Sequence, residues 1–239
     1  MESSVSVDPQ HQPGLLRNRA FLLVLGGMAV SQLGTSLYQM VAPVWVIQTT
    51  GSAGSIAAMT GISTVIRLLA APVAGTVADR SDRRLVMASA SLAQALIVSS
   101  LAAAFWSGFD PFRLLLIGSA SLALAGAFFS PAYAAAQTGL VHPQDLTRAL
   151  TIWQMVRQTI ALVGPAAAGV VVTAFGPAWA LAANGVTYLV SALCVLVIRL
   201  HWAPAPVRDR RPFWRDFADG LTVITGSPIV RRTAILGAG

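Results

Sequence analysis

The sequence predicts an all-α, polytopic membrane protein: a bundle of six transmembrane helices followed by the start of a seventh. Three observations carry that expectation. The chain of 239 residues is 55% hydrophobic and only 10% charged, where an ordinary soluble domain carries about 25% charged residues. Its mean hydropathy is +0.68. The apolar residues gather into runs that meet the roughly 20 residues a helix needs to cross a bilayer at about 1.5 Å rise per residue.

Taken in order, the first run is Ala20–Ile47, uncharged and preceded by Arg17 and Arg19. An uncharged, Gly-rich turn, Thr49–Gly54, leads to the second run, Ser55–Ala78, which is interrupted only by Arg67. A charged stretch separates it from the third run, Leu85–Trp106, which ends at Ser107-Gly108-Phe109-Asp110-Pro111. The fourth run is Leu114–Ala136, and Gly139–Thr147 reads as a loop. The fifth run, about Ala149–Phe175, is broken by Gly176-Pro177, and the sixth is Ala178–Ile198. The polar segment Arg199–Arg232 follows, and Thr233–Gly239 opens a seventh apolar run. The domain reading is therefore a tail at 1–19, a six-helix bundle at 20–198, a linker at 199–232 and a truncated seventh helix at 233–239.

The net charge is +7, and all sixteen basic residues are arginines. They cluster in the tail and in the segments after runs two, four and six. Positive charge is retained on the cytoplasmic face, so the N-terminus and the linker are expected to be cytoplasmic in a multi-pass plasma-membrane protein. The basic balance thus reports topology and implies no nucleic-acid partner. An all-Arg, Ala-rich composition fits a bacterial source. The polar, acid-bearing start lacks the features of a cleaved signal peptide. Cys194, the sole cysteine, can form no internal disulfide. Nothing in the sequence supports an enzyme, a cofactor or a metal. His11, His142 and His201 lie in the tail or at loops, and no phosphate-cradling Gly-Lys loop is present.

The most informative stretch is Gly75-Thr76-Val77-Ala78-Asp79-Arg80-Ser81-Asp82-Arg83-Arg84, with five charges in ten residues. It reads as a hydrophilic turn between the second and third spans. The pattern Gly-x-x-x-Asp-Arg-x-x-Arg-Arg at that place resembles the loop signature of the major facilitator superfamily of transporters. Asp82 stands where glycine is usual, a form similar to the macrolide-efflux and enterobactin-exporter-like branch. The resemblance implies the first half of a twelve-helix fold, each half being two inverted three-helix repeats. Residue by residue no repeat is evident, beyond an Arg and a Pro followed by Gly in runs two and five (Pro72…Gly75, Pro165…Gly169). It further implies that Gly75, Asp79, Arg80, Arg83 and Arg84 form a conformational gating loop. In that reading Asp79 meets the positive end of a helix in the other half, and Arg83 pairs with acidic or carbonyl groups. Expected partners are a small-molecule substrate, the lipid bilayer, and the missing C-terminal six-helix half or a second copy of the chain.

Two further sets of residues carry chemistry. Gly164-Pro165-Ala166-Ala167-Ala168-Gly169 resembles the antiporter signature of facilitator exporters, although Ile160 stands at the family's upstream glycine. Small residues permit close helix approach and proline perturbs the span, so Gly164, Pro165 and Gly169 lean the reading toward efflux. Polar side chains also recur at helical spacing: Gln32, Ser36 and Gln39 in run one; Ser119, Gly126, Ser130, Tyr133 and Gln137 in run four; Gln154, Arg157 and Gln158 in run five. Such faces point away from lipid, toward a cavity or a neighbouring helix. Arg67 shares a face with Thr60, Ser63 and Thr64. An arginine within a span costs at least ~2.5 kcal/mol on insertion scales, so it faces water or a partner. The resemblance implies that spans one and four line a central cavity, and the candidate cavity residues are Gln32, Ser36, Gln39, Arg67, Ser130, Tyr133, Gln154, Arg157 and Gln158. No acidic residue lies mid-span, so a proton relay through a buried carboxylate is expected elsewhere than in these runs. The function expected is secondary active efflux of a drug- or siderophore-like molecule. The alternatives are a facilitator-type importer, a non-transporting half that only packs against a partner, and a six-span protein of another family, such as a membrane enzyme or an ABC-exporter membrane domain.

Overall fold

A computed structural model describes Leu15, residues 18–107 and residues 111–198, and these form six long α-helices with no strand among the described residues. They are α1 (Arg19–Thr50), α2 (Ala53–Arg80), α3 (Arg83–Trp106), α4 (Pro111–Gly139), α5 (Leu146–Phe175) and α6 (Pro177–Val197). One 3₁₀ turn, Pro143–Asp145, precedes α5. All six helices are long and apolar enough to span a membrane. Each expected run sits inside one helix except at the last residue of run six, Ile198, which follows α6. The other helix ends extend into the flanking polar residues, because backbone bonding continues where side chains already reach the headgroup region. The expected linker at 199–232 and seventh helix at 233–239 lie outside the described residues, as does nearly all of the tail.

Specific chemistry sets the ends. Asn18 caps α1, its Oδ1 accepting from the amides of Ala20 and Phe21 at 3.1 and 3.2 Å. Its Nδ2 donates to Leu140 O at 3.0 Å, which ties the start of α1 to the end of α4. Gly51 and Gly176 adopt positive φ values of 64° and 84°, which lets the chain reverse within two residues or fewer.

The charged decapeptide corrects the sequence expectation of a turn. Gly75–Arg80 continues α2, Arg83 and Arg84 open α3, and only Ser81 and Asp82 lie between the helices. The Ser81 amide still donates to Val77 O at 2.9 Å, and Asp82 Oδ1 accepts from the Arg84 amide at 2.9 Å. Charge alone does not end a helix. Here the last turn of α2 holds Arg80 against the negative end of the helix dipole, and Asp82 starts the next helix as its N-cap.

The helices pack in the order α5–α1–α6–α3–α4–α2, with lighter contact between α1 and α4 and between α1 and α2. Exchanging α1 with α4, α2 with α5 and α3 with α6 maps the main packing order onto itself: α1–α6 becomes α4–α3, and α1–α5 becomes α4–α2, while the lighter α1–α2 contact has no comparable α4–α5 counterpart. Successive helices cross in alternate directions, so the two three-helix units are inverted. The repeat that is not evident in the residues is therefore plain in the packing. Only 6% of the most apolar stretch of α2 and 11% of that of α5 are buried within the bundle, against 50% for α3.

One end of the core gathers Phe21, Met28, Met87, Ala136 and Trp153, with the Phe21 and Trp153 rings 5.0 Å apart. Nearer the other end, Val41, Val98, Leu101 and Leu181 form a second cluster. The α1–α6 seam is made by small and polar residues. A Cβ on Gly34 would run into Thr187 Oγ1 and lie 2.9 Å from Thr187 Cβ, beside the fully buried Asn184. Close backbone approach by small residues takes the place of a hydrophobic driving force between membrane helices. At the end remote from the charged turn, Trp106 and Trp179 are both 59% exposed and meet edge to face at 5.4 Å. This matches an aromatic belt at a membrane–water boundary.

Candidate functional site

A cavity of about 650 Å³ opens between α1, α2 and α4, floored by α3 and α6. Helix α1 contributes Gln32, Thr35, Tyr38 and Gln39, and α4 contributes Ser119, Gly126 and Ser130. Helix α2 adds Thr60, Ser63 and Arg67, spaced one helical turn apart. Thr64, expected on that face, is outside the lining. Gln94 of α3 and Tyr188 of α6 complete the polar wall, and the Tyr188 hydroxyl is hydrogen-bonded to Thr35 Oγ1 at 3.0 Å. The sequence reading missed Tyr38, Gln94 and Tyr188. Gln94 is the one amide side chain in α3, and a lone amide in an apolar span is the signal that could have found it.

A second cavity, of about 780 Å³, adjoins the first and shares Ser31, Gln32, Phe129 and Ser130 with it. It lies toward the end that carries the α4–α5 connection and is lined by Tyr133, Gln137, Gln154 and Arg157. Arg157 donates through Nη2 to Gln154 Oε1 one turn earlier. Phe129 and Tyr133 stack at 5.6 Å and form one wall. Seven of the nine expected cavity residues thus line one continuous cleft.

Ser36 and Gln158 do not line it, and these two are corrections. Ser36 is 8% exposed and turned toward α5, with its hydroxyl donating to Gln32 O at 3.2 Å. It is displaced about 40° around α1 from Gln32, enough to move from the cleft to the neighbouring seam. Gln158 sits next to Arg157 on the exposed part of α5, one position off the lining face.

The expected antiporter motif lies against Ser36. Gly164 is buried, and a Cβ there would overlap Ser36 Oγ and lie 3.1 Å from Ser36 Cβ. Gly169 is looser, its nearest neighbour being Met40 Cε at 4.0 Å. Pro165 stands inside α5 with its side chain exposed, and the helix runs on through it.

The charged segment does two different things. Arg83 Nη1 donates to Ala135 O near the end of α4 at 3.1 Å. Arg84 Nε donates to Val195 O at 3.2 Å, and its Nη2 to Leu196 O, in the last turn of α6. The two guanidinium groups therefore satisfy carbonyls at helix ends and sit at negative dipole ends. Asp79 and Arg80 are exposed, with no hydrogen bond or ion pair to any other described residue, and Gly75 has open space around it. No group of three His, Cys, Asp or Glu among the described residues is placed to hold a metal.

The sequence profile of the Major Facilitator Superfamily matches residues 24–238. The chain is similar to the multidrug efflux pump Tap of Mycolicibacterium fortuitum, with 28% identity over 226 residues, or 90% of this chain and 54% of Tap. It is similar also to macrolide efflux protein A of Streptococcus pyogenes, with 23% identity over 205 residues, or 85% of this chain and 51% of that protein. The chain spans about half the length of these curated relatives.

Proposed function

The chain belongs to the major facilitator superfamily, and from that premise we propose that it works in secondary active efflux of small molecules, by alternating access about the cleft between α1 and α4. The polar cleft carries this reading. Amides, hydroxyls and two arginines converge there in a bundle that is otherwise apolar, and burial of so many polar groups is costly in a membrane unless they meet water or a ligand. The similarity to two proteins named as efflux pumps supports the direction of transport.

In this proposal Asp79 and Arg80 are the moving part of the gate, and Arg83 and Arg84 are its fixed anchor. Asp79 is free to meet a helix N-terminus that is brought up in one conformation and withdrawn in the other. The Gly164–Ser36 seam holds α5 close to α1 and seals one side of the cleft. Residues 199–232 act as a cytoplasmic linker, 233–239 begin a seventh span, and a second six-helix unit closes the cleft. That unit is a C-terminal half or another copy. The arginine distribution supports a cytoplasmic N-terminus.

The test is accumulation in bacteria producing the full-length protein and loaded with fluorescein, Nile red or rhodamine 123. Lower retention of at least one dye, reversed by collapse of the ion gradient, is the expected result. Higher retention identifies an importer. Equal retention of all three dyes refutes transport of such molecules.

A further inference from the structure

The geometry points to a substrate that carries a carboxylate or phosphate group, received in the first cavity by Arg67. This deepens the transport reading of the cleft and rests on it. Arg67 lies fourteen residues from the start of α2 and thirteen from its end, roughly 20 Å either way. Lipid headgroups stay at the helix ends, so a headgroup phosphate does not reach this depth. Its side chain is exposed to the cavity and has no hydrogen-bond or ion-pair partner among the described residues. A guanidinium at mid-span is costly unless it is hydrated or paired, and its planar fork suits a carboxylate or phosphate.

The surroundings agree in sign. No acidic residue lines either cavity, and the described acids Asp79, Asp82 and Asp145 all stand at helix ends. The other cation in the cleft, Arg157, lies in the adjoining cavity. Around Arg67 the polar groups are neutral: Thr60 of its own helix, Gln39 and Gln94 have donors to offer, while the Ser63 hydroxyl donates to Met59 O at 2.9 Å and that of Tyr188 is paired with Thr35. A cationic molecule finds no counter-charge here, whereas an anion finds one full charge and several hydrogen-bond donors. Met59, Leu122, Ala123, Ala127 and Phe129 give the same space an apolar side. The volume of about 650 Å³ suits a drug-sized organic molecule rather than an inorganic ion. The substrate class is therefore an amphipathic organic anion, with its charged group at Arg67 and its apolar body against α4.

Fluorescein and rhodamine 123 share a xanthene skeleton and differ in charge, so they make a matched pair of probes. The full-length protein in phosphatidylcholine nanodiscs is titrated with each dye, and binding is read by fluorescence anisotropy. The unmodified protein is expected to bind fluorescein more tightly than rhodamine 123. Arg67→Gln is expected to weaken fluorescein by about tenfold or more, the usual scale for loss of a charge-assisted contact, and to leave rhodamine 123 unchanged or tighter. Arg67→Lys keeps the charge and should retain most of the affinity. Absence of fluorescein binding to the unmodified protein, preference for rhodamine 123, or equal weakening of both dyes by Arg67→Gln overturns the assignment. Flux into liposomes is scored separately. Fluorescein binding that depends on Arg67 without any flux would refute the transport reading and leave the anion site standing.

Discussion

Gly164→Val should loosen the seam between α1 and α5, and the geometry says by how much. A Cβ at Gly164 already overlaps Ser36 Oγ and stands 3.1 Å from Ser36 Cβ. Rotation of Ser36 relieves the first contact and gives up its 3.2 Å bond to Gln32 O, but no rotation moves Cβ. Valine then adds two methyl groups, and the helices must part. Overpacking of this kind costs about 1–3 kcal/mol, and the β-branched valine recovers little of the helix propensity that alanine would gain. A loss of about 2 kcal/mol is expected. Ser36→Gly removes the opposing atoms, so the double variant should regain at least about 1 kcal/mol, a coupling typical of residues in contact. Gly169→Ala is the internal control. Its nearest neighbour is 4.0 Å away, so it should be neutral or stabilising by about 0.5–1 kcal/mol. Reversible unfolding in mixed micelles, followed by tryptophan fluorescence, measures all four proteins. Equal effects at Gly164 and Gly169, or no rescue by Ser36→Gly, would refute the close-approach argument.

Arg84→Ala removes the donor to Val195 O and Leu196 O and should cost about 1 kcal/mol, below the value for a buried charged bond because the group is half-exposed. Arg84→Lys should recover part of this in the same unfolding assay, since an ammonium lacks the fork that reaches two carbonyls. Asp79→Asn should lower dye efflux several-fold with no loss of stability, because Asp79 is exposed, has no hydrogen bond or ion pair among the described residues, and stands at the negative end of α2, where its charge is unfavourable. A parallel fall in stability would make it a structural residue instead. For orientation, Ser52→Cys and Gln144→Cys are each placed in a Cys194→Ser background, the two positions being exposed at opposite ends of the bundle. An impermeant thiol reagent on intact cells should label the first and spare the second, and the reverse pattern would invert the topology.

The sequence by itself determined the spans. Hydrocarbon thickness sets a minimum apolar length, and all six runs met it at the places where the helices stand. It also selected Gln32, Gln39, Ser130 and Arg67, because a polar residue in a span must face something other than lipid. What it could not assign was which face meets which neighbour. In a soluble helix the apolar stripe marks the inside, but a membrane helix is apolar toward lipid and toward its neighbours alike. Periodicity therefore grouped Ser36 with Gln32, although 40° of rotation carries it into the α5 seam. It left unmarked the α1–α6 contact, where Gly34 meets Asn184 and Thr187. The tertiary structure decided these, and it turned the charged decapeptide from a turn into two helix ends. Arg83 and Arg84 are legible as charges in the chain, but the carbonyls they satisfy lie 52 and 111 residues away. The inverted repeat has the same origin: packing order is kept where residue identity is free to drift, since any apolar side chain satisfies lipid.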